Sequence, residues 1–325
     1  MPHPKGVSSS GNRLVTDEEF IALFPKIGAT GIAGKYGHKD PRKVYERRRA
    51  IEERYGVVLS PPTRGGHVQQ LDKHPAAVTL GIEDGHVLIG SDSHYLPGVV
   101  TTAHRAFVEF AREYKPKVII KNGDELDFPT ISRFAHGWEK RPTVAEEIEY
   151  TNAMLGEIEK VAPKAELVWP VGNHDSRLET RIATQAPELA NLKGVHLRDH
   201  FSERWKPCMA CFINKDVVVK HRITGGIHAT RNNTVKAGRT VITGHLHSLK
   251  VAPVSDYNGT RWGVDCGTMA DPYGPQFYGY TELSPLDWRS GFVLLTFNKG
   301  RLMWPETVWV SGPDEVQFRG EVHRV

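Results

Sequence analysis

Val118–Asp127 reads VIIKNGDELD, a short apolar run followed within a few residues by three carboxylates, Asp124, Glu125 and Asp127. The apolar run has the length of a strand, so the two aspartates are predicted to follow the end of that strand. Open α/β sheets bind their ligands beyond the carboxyl ends of their strands. The stretch therefore predicts an α/β domain with a polar site at one sheet edge.

The same pattern recurs four times, each time with acidic, amide or imidazole groups directly after an apolar run. The four segments are DSH at Asp92–His94, GNHD at Gly172–Asp175, His221, and GHLH at Gly244–His247. Each fragment alone is weak, because such pairs occur by chance. Five of them in order at strand ends are difficult to explain by accident. Helical stretches between the strands, at Thr101–Tyr114 and Val144–Val161, support an α/β layered domain.

This set resembles the signature of the calcineurin-like metallophosphoesterases, DxH…GDxxD…GNH(D/E)…H…GHxH, over roughly Val78 to Leu283. The resemblance implies a β-sandwich of two mixed sheets flanked by helices, with two divalent metal ions at the motif residues. It implies that the first ion is held by Asp92, His94 and His247 and the second by Asn173, His221 and His245, with Asp124 bridging both.

The chemistry of these residue types agrees with that implication. Carboxylate, imidazole and amide ligands without thiolate suit Mn²⁺, Fe or Zn²⁺ better than a soft-metal or structural site. We expect Mn²⁺, with Fe, Zn²⁺, Ni²⁺ or Mg²⁺ as alternatives. Two such ions roughly 3.5–4 Å apart can share a hydroxide, lower its pKa and clamp a phosphate for in-line attack.

His174 is the catalytic acid that the resemblance implies, since an imidazole suits proton transfer to a leaving oxygen near neutral pH. Asp175 is predicted to orient His174, or else to cap the helix that follows. Arg177 and the basic loop Arg222–Arg231 are candidate phosphate contacts, although either could equally be solvated surface.

Two histidines are candidates for the metal ligand of the fourth motif. His221 ends the apolar run Val217–Val219, whereas His228 follows a glycine-rich stretch. We prefer His221 as the ligand because a strand end fixes a side chain better than a glycine-rich loop does. His228 is then a candidate substrate contact.

The excess positive charge lies in the first quarter of the chain. Met1–Ala77 contains 13 basic and 8 acidic residues, and the remainder contains 29 and 30. Such asymmetry favours an anionic partner for this segment, with nucleic acid the first candidate and DNA favoured.

Local patterns in this segment predict three short helices. Thr16–Glu19 is a capping box that opens a helix through Phe24, which Pro25 and Gly28 end; a second covers Ala29–Tyr36 and a third Pro41–Tyr55. The arrangement resembles a helix-turn-helix unit. The candidate nucleic-acid contacts on the third helix are Lys43, Arg47, Arg48 and Arg49. The alternatives are a solvated basic face or a protein-docking module.

The predicted organisation is a helix-turn-helix domain at 1–58, a linker at 59–76 and the metallophosphoesterase domain at 77–325. Glu83–Gly85 is a turn signal that predicts a hairpin between Val78–Ile82 and His86–Ile89. Phe292–Phe297 and Leu302–Val310 are predicted to form a closing hairpin.

Composition excludes several classes of protein. Hydrophobic residues make up 39% of 325 residues, which argues against disorder, and no apolar run approaches the ~20 residues of a spanning helix. Met1–Ser10 lacks the apolar core of a signal peptide. Three cysteines cannot staple a domain of this size, so we expect buried or loop thiols. These features predict a cytoplasmic protein without a membrane partner, in a host cell if it is phage-encoded; its oligomeric state stays open.

The leading hypothesis is a metal-dependent phosphodiesterase or nuclease that acts on DNA. The alternatives are a phosphomonoesterase, such as a protein Ser/Thr phosphatase, and a DNA-binding protein with an inactive phosphoesterase domain.

Overall fold

The chain divides into two compact units, Met1–Leu71 and Asp72–Val325. The computed structural model describes residues 15–36, 41–61, 76–133, 141–282, 284 and 286–325. The predicted linker at 59–76 falls largely outside them. The domain boundaries stay a prediction.

The described residues of the N-terminal unit form the helices α1 (Asp17–Lys35) and α2 (Pro41–Tyr55). Thr16 caps α1 through the predicted capping box. Gly28, with φ 62° and ψ −175°, is not helical, so α1 consists of two helical stretches that meet at a kink. The predicted boundary between a first helix and a second one from Ala29 is therefore confirmed at Gly28, whereas Pro25 lies inside the first stretch and does not end it. Pro25 costs one backbone hydrogen bond, and apolar packing holds the helix together despite that loss. The shared core consists of Val15, Phe20, Phe24, Ala29, Ile32, Ala33, Val44, Ile51 and Leu59.

The predicted turn before α2 lies at 37–40, outside the described residues. The helix-turn-helix identity of this unit therefore stays a prediction.

The larger unit contains two sheets with helices around them. Its helices are α3 (Thr102–Tyr114), α4 (Val144–Val161), α5 (Arg177–Gln185), α6 (Ala229–Ala237) and α7 (Tyr278–Thr281). Its strands are β1 (Ala77–Leu80), β2 (Gly85–Gly90), β3 (Val118–Lys121), β4 (Glu166–Pro170), β5 (Trp205–Cys208), β6 (Ala210–Ile213), β7 (Val217–Val219), β8 (Thr240–Thr243), β9 (Lys250–Asp256), β10 (Gly259–Asp265), β11 (Gly291–Asn298), β12 (Arg301–Leu302), β13 (Glu306–Gly312), β14 (Glu315–Phe318) and β15 (Glu321–Arg324).

Both sheets are mixed. The six-stranded sheet has the order β1-β6-β7-β8-β10-β9, and the nine-stranded sheet has the order β15-β14-β13-β11-β2-β3-β4-β5 with β12 beside β11. In the larger sheet β2, β3, β4 and β5 run parallel, and in the smaller one β7 is parallel to β8. Parallel neighbours bring the residues that follow them to the same edge.

Strand alternation decides which core each residue joins. Val87 and Ile89 of β2 pack with Ile242 and Val264 of the other sheet. Leu88, between them, points to the opposite face and packs with Phe107 of α3. This period of two is expected when both faces of a sheet are covered. The predicted fold class, a β-sandwich of two mixed sheets flanked by helices, is confirmed.

The predicted hairpin at Glu83–Gly85 is wrong. β1 pairs with β6 in the smaller sheet, whereas β2 pairs with β3 and β11 in the larger one. Both edges of β2 are therefore occupied, and the turn carries the chain from one sheet to the other. The side chain of Asn214 holds the crossing by bonding both the N–H and the carbonyl of Ile82, at 2.8 Å each. The closing hairpin is confirmed, since β11 and β13 pair antiparallel.

The three cysteines, Cys208, Cys211 and Cys266, are free and buried, as expected. Burial raises the pKa of the Cys208 thiol to about 12, which keeps it protonated and unreactive. Within the described part of the chain, none of the helices combines the length and apolarity needed to cross a membrane.

Candidate metal centre and substrate cavity

The structure brings the residues of all five motifs to one place. Asp92 and His94 follow β2, and Asp124 follows β3 in the larger sheet. His221 follows β7, and His245 lies two residues beyond β8 in the smaller sheet. The motif residues therefore gather where the strand ends of the two facing sheets meet.

The first group of potential ligands comprises Asp92, His94 and His247, all of them buried. Their ligand atoms lie within 4.8 Å of one another. His247 Nε2 is 3.0 Å from Asp92 Oδ1, and His94 Nε2 is 4.0 Å from the same oxygen. The second carboxylate oxygen of Asp92 accepts a 2.9 Å hydrogen bond from the backbone N–H of His245, which ties this group to the GHLH motif.

The second group comprises Asp124, His221 and His245, again with ligand atoms within 4.8 Å of one another. His221 Nε2 is 3.0 Å from Asp124 Oδ2, and the other ring nitrogen bonds the carbonyl of Asn122 at 2.7 Å. Asn173 lines the same cavity, and its buried Oδ1 finds no hydrogen-bond partner among the described residues.

The structure places His221, and not His228, in this centre. His221 is 2% exposed. His228 is exposed, lies directly before α6 and does not line the cavity. The predicted substrate contact at His228 is therefore not made within the cavity.

The backbone of this site is strained. The described residues include 13 non-glycine residues with positive φ, and five of them are predicted ligands: Asp92, His94, Asp124, His245 and His247. Each such conformation costs of order 1–3 kcal/mol and persists only where the surroundings impose it. Residues that follow a strand must turn sharply to point back into the site, which explains why the strain concentrates here.

Glycines make the close approach possible. A Cβ on Gly172 would lie 2.1 Å from Asp124 Oδ1, and one on Gly244 would lie 2.4 Å from Asp92 Oδ2. Both distances are too short for any side chain. The glycines of GNHD and GHLH therefore let a backbone lie directly against each of the two carboxylates.

Burial and charge act in opposite directions on the ionisable groups. Burial opposes the ionisation of Asp124, but the His221 imidazole beside it holds the pKa of that carboxyl down at about 2. Burial likewise disfavours the charged form of His221, but the carboxylates of Asp124 and Asp92 raise its pKa to about 10. The buried carboxylates thus draw positive charge to this point, as a cation site requires.

These residues fit a pair of divalent cations. Carboxylate, imidazole and amide oxygen are their ordinary ligands, and cysteine is absent from the three metal-ligand clusters of the described chain. Neither ring nitrogen of buried His94 finds a hydrogen-bond partner with good geometry among those residues, and Asn173 Oδ1 is equally unpartnered. Buried polar atoms left in this way cost free energy unless an ion or water satisfies them.

His174 lies beside both the bridging position and a second carboxylate. Its backbone N–H donates to Asp124 Oδ1 at 2.7 Å, and its Nε2 is 3.9 Å from Asp124 Oδ2. Its Nδ1 is 2.5 Å from Asp127 Oδ1. Asp127 is thus the residue that orients the His174 ring. Asp127 is the last residue of the stretch Val118–Asp127, and the sequence did not predict it as a site residue.

The predicted contact between Asp175 and His174 is not found. The Asp175 carboxylate accepts hydrogen bonds from the backbone N–H groups of Asp124, Glu125 and Gly172, at 2.9 Å each, and from the Trp169 indole at 3.0 Å. It does not cap α5 either, since that helix begins after Ser176. Asp175 instead fixes the loop that carries Asp124, because one buried carboxylate satisfies several backbone donors.

A buried ion pair connects the loop that contains Asp92 and His94 with the loop that contains Asp124. The Lys121 ammonium is 3.0 Å from Glu125 and donates to Ser93 at 2.7 Å, with both charged side chains fully buried. Ser93 lies between Asp92 and His94. The pair therefore links the loop of the first ligand group to the loop that carries Asp124.

The centre opens into a cavity of about 1290 Å³, larger than the roughly 300–1,000 Å³ typical of small-molecule pockets. Among the described residues its lining includes two carboxylates, Asp124 of the second ligand group and Asp127 beside His174. It also includes six basic side chains: Arg133, Arg141, Arg177, Arg181, Lys220 and Arg222. An aromatic wall adjoins them, where the rings of Phe277 and Trp288 lie 6.1 and 4.3 Å from the His247 ring. Basic side chains thus outnumber carboxylates in the described lining of the cavity.

The predicted nucleic-acid contacts on α2 divide into two kinds. Arg47 is 3.0 Å from Asp17 and stacks on Phe20, and Arg48 is 2.9 Å from Glu52 and stacks on Phe24. Their guanidinium groups are engaged within the unit. Lys43 and Arg49 are exposed.

Comparisons with known proteins give distant relatives. No family model matches the chain. The Gene 54 protein of Mycobacterium phage L5 is 24% identical over 227 residues, which cover 64% of this chain and 87% of the relative. The Gene 54 protein of Mycobacterium phage D29 is 26% identical over 230 residues, with the same coverage.

Similar solved structures include Vps29 from Entamoeba histolytica complexed with zinc (16% identity, TM-score 0.39, 74% of this chain and 98% of that one). They also include the nuclease MPE from Pseudomonas putida (16%, 0.33, 67% and 86%) and a protein serine/threonine phosphatase from Saccharomyces cerevisiae (13%, 0.36, 76% and 88%). The resemblance to the calcineurin-like metallophosphoesterases is confirmed by the two-sheet architecture and by the five motifs that converge within it.

Proposed function

We propose that this chain is a dinuclear metal-dependent phosphodiesterase whose substrate is nucleic acid, with DNA favoured. The observation that carries the proposal is the convergence of two ligand groups, Asp92 with His94 and His247, and Asp124 with His221 and His245. Asn173 would complete the second group, and Asp124 would bridge both. When bound, two divalent ions, Mn²⁺ in our proposal, activate the attacking water and neutralise charge on the phosphate.

The side chains of this chain perform the remaining steps. His174, on the cavity wall, donates a proton to the leaving oxygen. Asp127 holds the ring through Nδ1, so that Nε2 faces the cavity. Arg177 lies beside it, with Nη2 3.3 Å from His174 Nε2 and Nη1 donating to the Asp127 carbonyl at 2.5 Å. A guanidinium at this place favours a phosphate next to the proton donor.

Cavity size and charge favour a nucleic acid over a small monoester. Six basic side chains exceed what one phosphate needs, and aromatic rings such as Phe277 and Trp288 suit stacking with bases. The N-terminal unit is proposed to add non-specific affinity for DNA through the exposed residues Lys43 and Arg49 of α2.

The test is a Mn²⁺-dependent activity panel on the full chain and on Asp124→Asn. The substrates are bis-p-nitrophenyl phosphate, p-nitrophenyl phosphate, single- and double-stranded DNA, RNA and a phosphopeptide. We expect hydrolysis of the diester and of DNA by the wild type and none by the variant. Preference for the monoester and the phosphopeptide would show that the protein is a phosphomonoesterase instead. If no substrate is turned over with any divalent metal, the protein would be a DNA-binding protein with an inactive phosphoesterase domain.

A further inference from the structure

Helix α5 presents a polar face to the cavity. Its cavity-lining residues are Arg177, Thr180, Arg181, Thr184 and Gln185. Intervals of three and four residues place these side chains on one side of an α-helix. We call this set the α5 face.

The other side of α5 is committed to the fold. Leu178 packs against the core that contains α3 and α4. Glu179, the acidic residue of this helix, is 2.9 Å from His196 Nδ1 and accepts the backbone N–H of Leu197 at 3.0 Å. The α5 face therefore has no carboxylate of its own helix to neutralise its two arginines.

The two arginines differ in their partners. Arg177 contacts His174 and Asp127, as described above. Arg181 is exposed and makes no hydrogen bond or ion pair with the part of the chain that the structure describes. It lies four residues, about 6 Å, farther along the helix than Arg177. A guanidinium that lines the cavity without a partner among the described residues is available for an anion.

The position of His174 indicates which part of the substrate would contact the α5 face. Because His174 is proposed to protonate the leaving oxygen, the group attached to that oxygen lies on the His174 side of the cavity. Arg177 adjoins His174 on that side, and α5 continues away from it. A substrate that extends beyond its leaving oxygen would therefore run along α5.

We propose that the α5 face is a subsite for the leaving strand of a nucleic acid, and that Arg181 binds the phosphate next to the scissile one on the leaving side. This inference rests on the proposed function and adds the direction in which the substrate lies. It assigns Arg181 a role in selecting polymeric diesters over simple ones, since a simple diester carries no second phosphate.

The experiment compares three dinucleotides with the full chain in Mn²⁺: TpT, pTpT and TpTp. The last two each add one terminal phosphate, on opposite sides of the scissile bond. In the wild type we expect one of them to be cleaved with a higher kcat/KM than TpT. In Arg181→Ala that substrate should lose about tenfold more kcat/KM than TpT does, the usual effect of one charge-assisted hydrogen bond. Arg181→Lys should recover part of the loss.

Arg198→Ala is the matched control, because Arg198 is exposed and lies outside the cavity lining. It should keep the wild-type ratio between the phosphorylated substrate and TpT. Equal losses on all three dinucleotides in Arg181→Ala, or an unchanged ratio, would overturn the α5 subsite while leaving the diesterase intact. Hydrolysis of p-nitrophenyl phosphate with no dinucleotide cleaved would overturn the proposed function, and the subsite with it.

Discussion

The two units of this protein use their charged residues in opposite ways. In the N-terminal unit Arg47 and Arg48 pair with Asp17 and Glu52 and cover phenylalanine rings, so that much of the basic character of α2 stabilises the unit itself. In the larger unit Asp92 and Asp124 are buried at the ends of strands with positive φ, among histidines. One unit uses charge to fold, and the other holds charge in a strained and costly arrangement.

The difference teaches which sequence signals carry function. A count of basic residues says nothing about what each of them contacts, whereas a polar residue directly after a buried strand has its position fixed by the strand. The strained backbone and the buried carboxylates of the site cost the larger unit stability. Proteins keep such arrangements where chemistry needs them.

The largest effect is expected from Asp124, the buried carboxylate that is proposed to bridge the two ions. Asp124→Asn removes the negative charge that is proposed to bridge the two ions, so turnover should fall below detection and calorimetry should show weaker Mn²⁺ binding. Asp216→Asn is the control, since Asp216 is exposed, lies directly before β7 and should behave as wild type. Retained turnover in Asp124→Asn would contradict the bridging role.

The next effect separates proton transfer from charge stabilisation. His174→Ala should lower kcat by about 10²–10⁴-fold on DNA, and by much less on nitrophenyl esters, whose leaving group needs no proton. Asp127→Asn should show the same leaving-group dependence with a smaller loss, because it disturbs the orientation of the ring. His228→Ala should match the wild type. A uniform loss across leaving groups would assign His174 to another role.

The sequence predicted the fold class and the positions that converge, because both follow from strand ends in α/β sheets. It did not identify Asp127 as the partner of His174. Asp175 is adjacent to His174 in the sequence, whereas Asp127 belongs to another motif and comes close to His174 only in the folded chain. Only the tertiary structure shows that Asp175 turns inward to the backbone of the Asp124 loop. Lys121 likewise looks like an ordinary strand end, yet its ammonium is buried with Glu125.

The role of Asp175 gives a stability prediction. Asp175→Ala leaves several buried N–H donors and the Trp169 indole without an acceptor, and should destabilise the larger unit, since each buried donor left unpaired costs about 1–3 kcal/mol. Asp175→Asn should cost less, since it keeps one acceptor oxygen. Urea unfolding followed by tryptophan fluorescence reports on this unit alone, because all 7 tryptophans lie after residue 76. An unchanged midpoint in Asp175→Ala would show that these bonds contribute little.

The smallest expected effect tests the charge of the N-terminal unit. Changing Lys43 and Arg49 to Ala should weaken DNA binding and reduce the salt slope by about 0.9 for each phosphate that is no longer neutralised, with the helices intact. Changing Arg47 and Arg48 instead should lower the stability of the unit, because it removes the ion pairs with Asp17 and Glu52. Both double variants are placed in the Asp124→Asn background, so that anisotropy of labelled DNA is measured without cleavage, and circular dichroism follows helix content. If the Lys43 and Arg49 variant binds DNA as tightly as its parent with the same salt slope, α2 serves another partner, and the contrast between the two units would then concern stability alone.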